Sequence, residues 1–330
     1  MKTNLKFLKP MITHVPFDNC VLGILQNYPK TYDWIYSNFI NIYINKNTEA
    51  DYFFPKFLWS ICPFIDSFAI PYKLIVKNHE QYTDFLESCL SEGFYVYTLV
   101  NRKYIKKYGE KVDDDHNAFI SNIDSKNKIV EINDFFNEGV YESYNCPYEE
   151  INDAFIELPK CIWFGKDDYL NENAQIILLK YNDNRKYDFS YDHFQEKLRQ
   201  YLGCKNQLSD YTEASIVGET LVTEYWWGIE CWNSDNHIPL TIRYFSLLRA
   251  HSQMWSYRYN YFVEKNYIGK SDFLENIIRD LNIDSQRALS LYLRDVIKNN
   301  SIMPENIPHI NKIIDECREK NELICNWFLR

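Results

Sequence analysis

The hydrophobic period of this chain changes part-way along it, and that change limits the folds it can reach. Up to about residue 160, apolar residues come in short runs broken by turn formers. The run Phe94-Tyr95-Val96-Tyr97-Thr98-Leu99-Val100 is aromatic and β-branched, the composition of a strand. A hairpin pattern follows: Asn117 to Ile123, the polar turn Asp124-Ser125-Lys126-Asn127, then Lys128 to Ile132. Helical patterns flank it at about Cys20–Asn27 and His79–Leu90, the second with Tyr82, Phe85, Leu86 and Cys89 on one face. Thr31 to Ile44 fits either helix or strand.

Beyond residue 190 the spacing becomes helical. Ile242, Phe245, Leu248, Trp255, Tyr259 and Phe262 line one long segment. Ser271 is placed to cap a helix carrying Leu274, Ile277, Ile278 and Leu281. Asp284 is placed to cap a third, through Leu289, Leu293 and Val296, and Pro308 to open a fourth. Between the halves, Ala174 to Tyr181 reads as one more buried strand. The expectation is an α+β protein: a mixed domain over residues 1–160 and a mostly helical domain over 161–330 that shapes the substrate site.

Composition narrows the function. With 46% apolar residues the 330-residue chain can build substantial cores, and 9 Gly and 11 Pro exclude collagen-like and low-complexity classes. A formal charge of −10 argues against nucleic-acid binding, which needs concentrated Lys and Arg. The 9 cysteines are odd in number and scattered, and none form Cys-x-x-Cys. No signal-peptide pattern and no apolar run of membrane-spanning length is present. A cytoplasmic protein with reduced thiols and no membrane partner is expected.

Phosphate loops, Gly-x-Gly-x-x-Gly, Gly-x-Ser-x-Gly and His-Glu-x-x-His are all missing, which leaves metal and nucleotide cofactors without local support. What remains is a thiol and an imidazole. Cys20 follows Phe17-Asp18-Asn19, where Asp18 or Asn19 can cap an apolar helix. A cysteine in the first helical turn has its thiolate favoured by the macrodipole, and the free N–H groups there can hold an oxyanion. His116 heads the hairpin, in Asp113-Asp114-Asp115-His116. Asp134 or Asn133 ends the return strand, so hairpin pairing would bring a tautomer-fixing partner to the imidazole. Plainer readings use the same residues: a small buried cysteine, a solvated histidine after three acids, and a turn-forming aspartate.

The order Cys20, His116, Asp134, with Gly93-Phe94-Tyr95-Val96-Tyr97 before the hairpin and Ile132-Asn133-Asp134 after it, resembles papain-like cysteine enzymes. The likeness is to bacteriocin-leader peptidases and to the natural-product proteins similar to butirosin biosynthesis protein H. It covers about residues 10–160. The resemblance implies a papain-like cysteine protease fold with a Cys20–His116–Asp134 triad and no cofactor of its own. It implies an acyltransferase that moves an acyl group from a carrier-protein phosphopantetheine thioester through Cys20 to a small amine. A cysteine peptidase or amide hydrolase, and a non-catalytic papain-like binding protein, are the alternatives. The glutamine that usually precedes the nucleophile is replaced by His14, so His14, with Asn19, is the candidate oxyanion partner. Arg102, Lys103, Lys106 and Lys107, just before His116, are the candidate docking patch for an acidic acyl or peptidyl carrier protein.

Overall fold

The computed structural model describes residues 2–45, 50–52, 58–78, 81–136, 139–161, 175–204, 225–236 and 238–330. Along the chain the helices are α1 (Pro16–Leu25), α2 (Tyr32–Asn38), α3 (Leu58–Ile61), α4 (Tyr72–Asn78) and α5 (Tyr82–Ser91). They continue as α6 (Tyr148–Ile156), α7 (Tyr191–Leu202), α8 (Ile242–Glu264), α9 (Asp272–Asn299) and α10 (Ile307–Phe328). The strands are β1 (Tyr43–Asn45), β2 (Ala50–Asp51), β3 (Ile65–Pro71), β4 (Tyr95–Asn101) and β5 (Asp115–Asp124). Four more follow: β6 (Ile129–Phe135), β7 (Tyr141–Pro147), β8 (Gln175–Tyr181) and β9 (Tyr225–Trp227).

Two compact units result. The first comprises residues 1–11, 16–31 and 55–186, the second residues 12–15, 32–54 and 187–330. The division therefore differs from a single boundary at residue 160. Strand β8, beyond that point, completes the first unit's sheet, while α2, β1 and β2, well before it, belong to the second.

In the first unit, among the described residues, an antiparallel sheet runs in the order β3-β8-β4-β5-β6-β7. The hairpin expected around residues 117–132 is β5–β6, with Ile120 opposite Ile132 and a register shift between Ile120 and Asn122. Pleating sends Val96, Val100, Ala118, Ile120 and Ile132 into one core with Tyr82, Phe85 and Leu86 of α5 and Ile151 and Ala154 of α6. The opposite face carries Tyr97 and Phe119. There the Phe119 ring lies 4.9 Å from Phe7, Trp59 of α3 lies 5.2 Å from Tyr97, and Phe17 of α1 lies 6.5 Å from Trp59. The sheet is thus covered by α5 and α6 on one side and by α1 and α3 on the other.

The second unit holds the short sheet β2-β1-β9 and the long helices α8, α9 and α10. The ambiguous segment 31–44 is both things in turn, helix α2 and then the start of β1. Ser271 caps α9 as expected, its Oγ accepting from Leu274 N at 3.3 Å. No break occurs at Asp284: α9 runs on from Asp272 to Asn299, with neither Gly nor Pro to interrupt it. The Asp284 carboxylate instead takes a 2.6 Å bond from Lys320. His79 and Ala174, the first residues of two expected elements, lie outside the described residues; the elements themselves are α5 and β8.

Arg258 of α8 is fully buried in this unit. It donates from Nε to Tyr36 O at 2.7 Å and from Nη2 to Phe39 O at 2.6 Å, at the C-terminal end of α2. Its guanidinium lies 4.4 Å from the Trp255 ring centre. Trp232 and Trp255 are packed as core side chains, donating to Tyr201 Oη at 2.9 Å and Asn321 Oδ1 at 2.8 Å.

Gly228 has φ 56°, and a Cβ there would stand 2.1 Å from Tyr201 O. Gly228→Ala is expected to lower unfolding free energy by about 2 kcal/mol or more, read from urea unfolding curves. Burial pushes His14 down to about 4 and His251 to about 3. Their unfolded counterparts take up protons near pH 6.5, so stability present above pH 6.5 is lost as pH falls towards 4. Urea midpoints between pH 7.5 and 4.5 should drop more steeply for the wild type than for His251→Asn.

Candidate active site

All three residues of the expected triad fall in the first unit. Cys20 is the fifth residue of α1, one step beyond the four N–H groups that a helix start leaves unbonded. The side chain is 0% exposed, and Sγ donates to Phe17 O at 3.0 Å. Burial first, and the Asp18 charge second, push the thiol well above its ordinary range, with the Val21 and Cys20 N–H groups opposing them. A thiolate favoured by the helix start is therefore not what this position provides. Desolvation outweighs the dipole here.

His116 and Asp134 do come together. Val100 pairs with His116 across β4–β5, and β6 runs back beside β5, so the two side chains meet near one end of the hairpin. His116 Nε2 lies 3.2 Å from Asp134 Oδ2. The Nε2 atom is buried and not aligned for a hydrogen bond, although the side chain as a whole is 29% exposed. Asp134 is 0% exposed; Oδ1 accepts from Phe135 N at 2.7 Å, and Oδ2 accepts from the Tyr108 hydroxyl. With Nε2 turned to the carboxylate, Nδ1 is the nitrogen left to act as a base.

Cys20 is not bonded to this pair. Helix α1 packs on β5 and β6, but no hydrogen bond joins Sγ to the imidazole. By the pleat, His116 shares a face with Ala118 and Asp134 with Ile132, the face turned to α5 and α6, whereas α1 covers the other face. Tyr141, at the start of β7, is the group that feels both sides, since the charges of Cys20 and Asp134 both raise its phenol after burial does.

The remaining candidates divide between the two units. His14 belongs to the second unit, where its ring stands edge-on to Tyr52 at 5.3 Å. Asn19 is buried within α1. Each basic residue of the expected docking patch already has an acidic partner. Arg102 pairs with Asp114, Lys103 with Asp113 at 3.1 Å, Lys106 with Glu150 at 3.1 Å and Lys107 with Glu142 at 2.7 Å. An acidic carrier would have to compete with these pairs.

Tyr108 and Tyr141 are residues that sequence spacing did not single out. Tyr108 sits in a short 3₁₀ turn ended by Gly109 at φ 71°, and one tyrosine among 27 carries no local signature. Among the described residues no group of three His, Cys, Asp or Glu is placed to hold a metal ion, and no helix is long and apolar enough to cross a membrane. The chain matches no known protein-family profile and no curated protein.

A buried, protonated thiol should alkylate slowly. In native protein at pH 8, Cys20 is expected to react with iodoacetamide at least about 100-fold slower than in urea, by mass spectrometry of the peptide. Because the thiol is shifted upward, its native rate should keep rising to pH 10 and beyond.

Proposed function

We propose that this chain is a papain-like cysteine acyltransferase that forms amide bonds in natural-product biosynthesis, with His116 and Asp134 as its base pair. The observation that carries the reading is the contact of buried His116 Nε2 with the fully buried Asp134 carboxylate, at 3.2 Å on one hairpin. A carboxylate beside Nε2 favours the proton on that nitrogen and so supports Nδ1 as the base, the role a papain-like order assigns to the imidazole. On slighter grounds, the resemblance extends to the amide-forming enzyme of closthioamide assembly.

The chemistry takes two steps. His116 Nδ1 accepts the Cys20 proton, and the thiolate attacks the acyl carbon of a carrier-bound thioester. The bond to the phosphopantetheine sulfur breaks, and that sulfur leaves with the proton. An amine then attacks the Cys20 acyl-enzyme; the C–N bond forms, the C–S bond breaks, and the amine's proton passes through His116 back to Cys20. For the first step Sγ has to give up its bond to Phe17 O, and the imidazole, which the pleat puts on the face turned to α5 and α6, has to come within its reach on the α1 side. The carrier protein, the amine and a cytoplasmic location belong to this proposal.

A second reading, a papain-like scaffold kept for binding a protein partner, is favoured by one observation. The Cys20 thiol is buried, held by Phe17 O and unbonded to His116. Intact-mass analysis separates the two. Incubated with N-acetylcysteamine acyl thioesters, wild type is expected to gain one acyl mass that Cys20→Ala does not, and His116→Ala to acylate at least about 100-fold slower. Discharge by amines faster than by water marks a transferase, and the reverse a hydrolase. A wild type that never acylates sinks both and leaves the binding protein.

A further inference from the structure

The carboxylate of Asp134 is held from a third direction that the triad does not include. Tyr108 is almost wholly buried, its hydroxyl donates to Asp134 Oδ2, and its ring meets His116 edge-on at 5.9 Å between centres. It is itself fixed on two further sides. The Phe136 ring, adjoining the end of β6, lies 4.8 Å away, and the Arg102 guanidinium lies 6.0 Å from the Tyr108 ring centre. Arg102 is in turn tied to Asp114 and Glu110. Oδ2 is thus the oxygen that faces Nε2 and also the oxygen that Tyr108 holds, while Phe135 N fixes Oδ1.

A carboxylate with one oxygen bonded only to the next residue's N–H could still rotate about its Cα–Cβ bond and take Oδ2 away from the imidazole. A donor on Oδ2 from a rigid aromatic removes that freedom. Burial makes the bond matter more, because an unpaired carboxylate oxygen in the core costs its full desolvation. We propose that Tyr108 is a positioning residue that holds Asp134 Oδ2 beside His116 Nε2, 3.2 Å away, so that the carboxylate charge favours the Nε2–H tautomer and leaves Nδ1 as the base. Its role in turnover rests on the acyl-transfer reading; the clamp itself does not.

Tyr108→Phe keeps the ring against Phe136 and removes only the donor. With ¹⁵N-labelled histidine in the full chain, the His116 Nε2–H proton is expected to exchange with water at least about tenfold faster in Tyr108→Phe than in wild type. Melting temperature serves as the control for a merely structural loss. Asp134→Asn should produce at least the same increase, and the double variant should be no worse than Asp134→Asn alone, since both act through one carboxylate. If wild type turns over acyl thioesters, Tyr108→Phe should lower kcat about tenfold with KM unchanged. An exchange rate unchanged in Tyr108→Phe overturns the clamp whatever the activity does. Faster exchange in a protein whose wild type never acylates supports the clamp and defeats the acyl-transfer reading. If Tyr108→Phe does not fold, the wild type still decides: a slowly exchanging Tyr108 hydroxyl proton close to the His116 ring supports the clamp, and its absence overturns it.

Discussion

The pairing of β5 with its neighbours is the constraint from which the rest of the first unit follows. Its register is set on one side by Val100 opposite His116 and on the other by Ile120 opposite Ile132. A slip of one residue would turn Ala118 and Ile120 out of the core beneath α5 and α6 and bring Phe119 into it. The same slip would send His116 to the far face, away from Tyr108 and out of reach of Asp134. Core packing and the His–Asp contact therefore depend on one alignment, and the burial of several large side chains protects a pair of polar ones.

That pair is viable because each carboxylate oxygen has a donor. A fully buried Asp134 would be costly alone, yet it has Phe135 N on one oxygen and Tyr108 and His116 at the other. The second unit solves the opposite case in a different way. Among the described residues Arg258 meets no carboxylate, but two carbonyls at the end of α2 accept from it and Trp255 lies against its face. The partial negative charge of a helix end and the π-face of an indole take the place of an acid. In both cases the buried ionic group is met by dipoles in fixed directions, for Arg258 at Nε and Nη2.

Much of the fold was legible in the sequence, because short-range signals specify it. The aromatic run at 94–100, the turn at 124–127 and the serine at 271 each act through neighbours a few residues away, and β4, the β5–β6 hairpin and the α9 cap follow from them. Asp284 misleads for a physical reason: a capping residue only starts a helix where the preceding one ends, and nothing between 272 and 299 stops α9. The His116–Asp134 contact was legible too, since hairpin geometry links residues on its two strands. Tyr108 was not, because its bond depends on how a 3₁₀ turn folds over the sheet. The split of residues 12–15 and 32–54 into the second unit was equally hidden, as no composition change marks chain that leaves one unit and returns.

Cys20 shows most clearly where local reasoning stops. A helix start favours a thiolate only through dipoles and N–H groups that the sulfur can reach, an effect confined to the first turn. One residue further along, the Cys20 and Val21 N–H groups still favour the thiolate, but less than burial and Asp18 oppose it, and the sulfur donates to a backbone carbonyl. A carbonyl oxygen stabilises the thiol and repels the thiolate. Burial and the nearby Asp18 act in the same direction. Each of these terms is set by a displacement of one residue or a few ångströms, smaller than any spacing pattern specifies. A cysteine placed for chemistry and a cysteine placed for packing can thus occupy the same point in a sequence motif, and only the direction of the sulfur separates them.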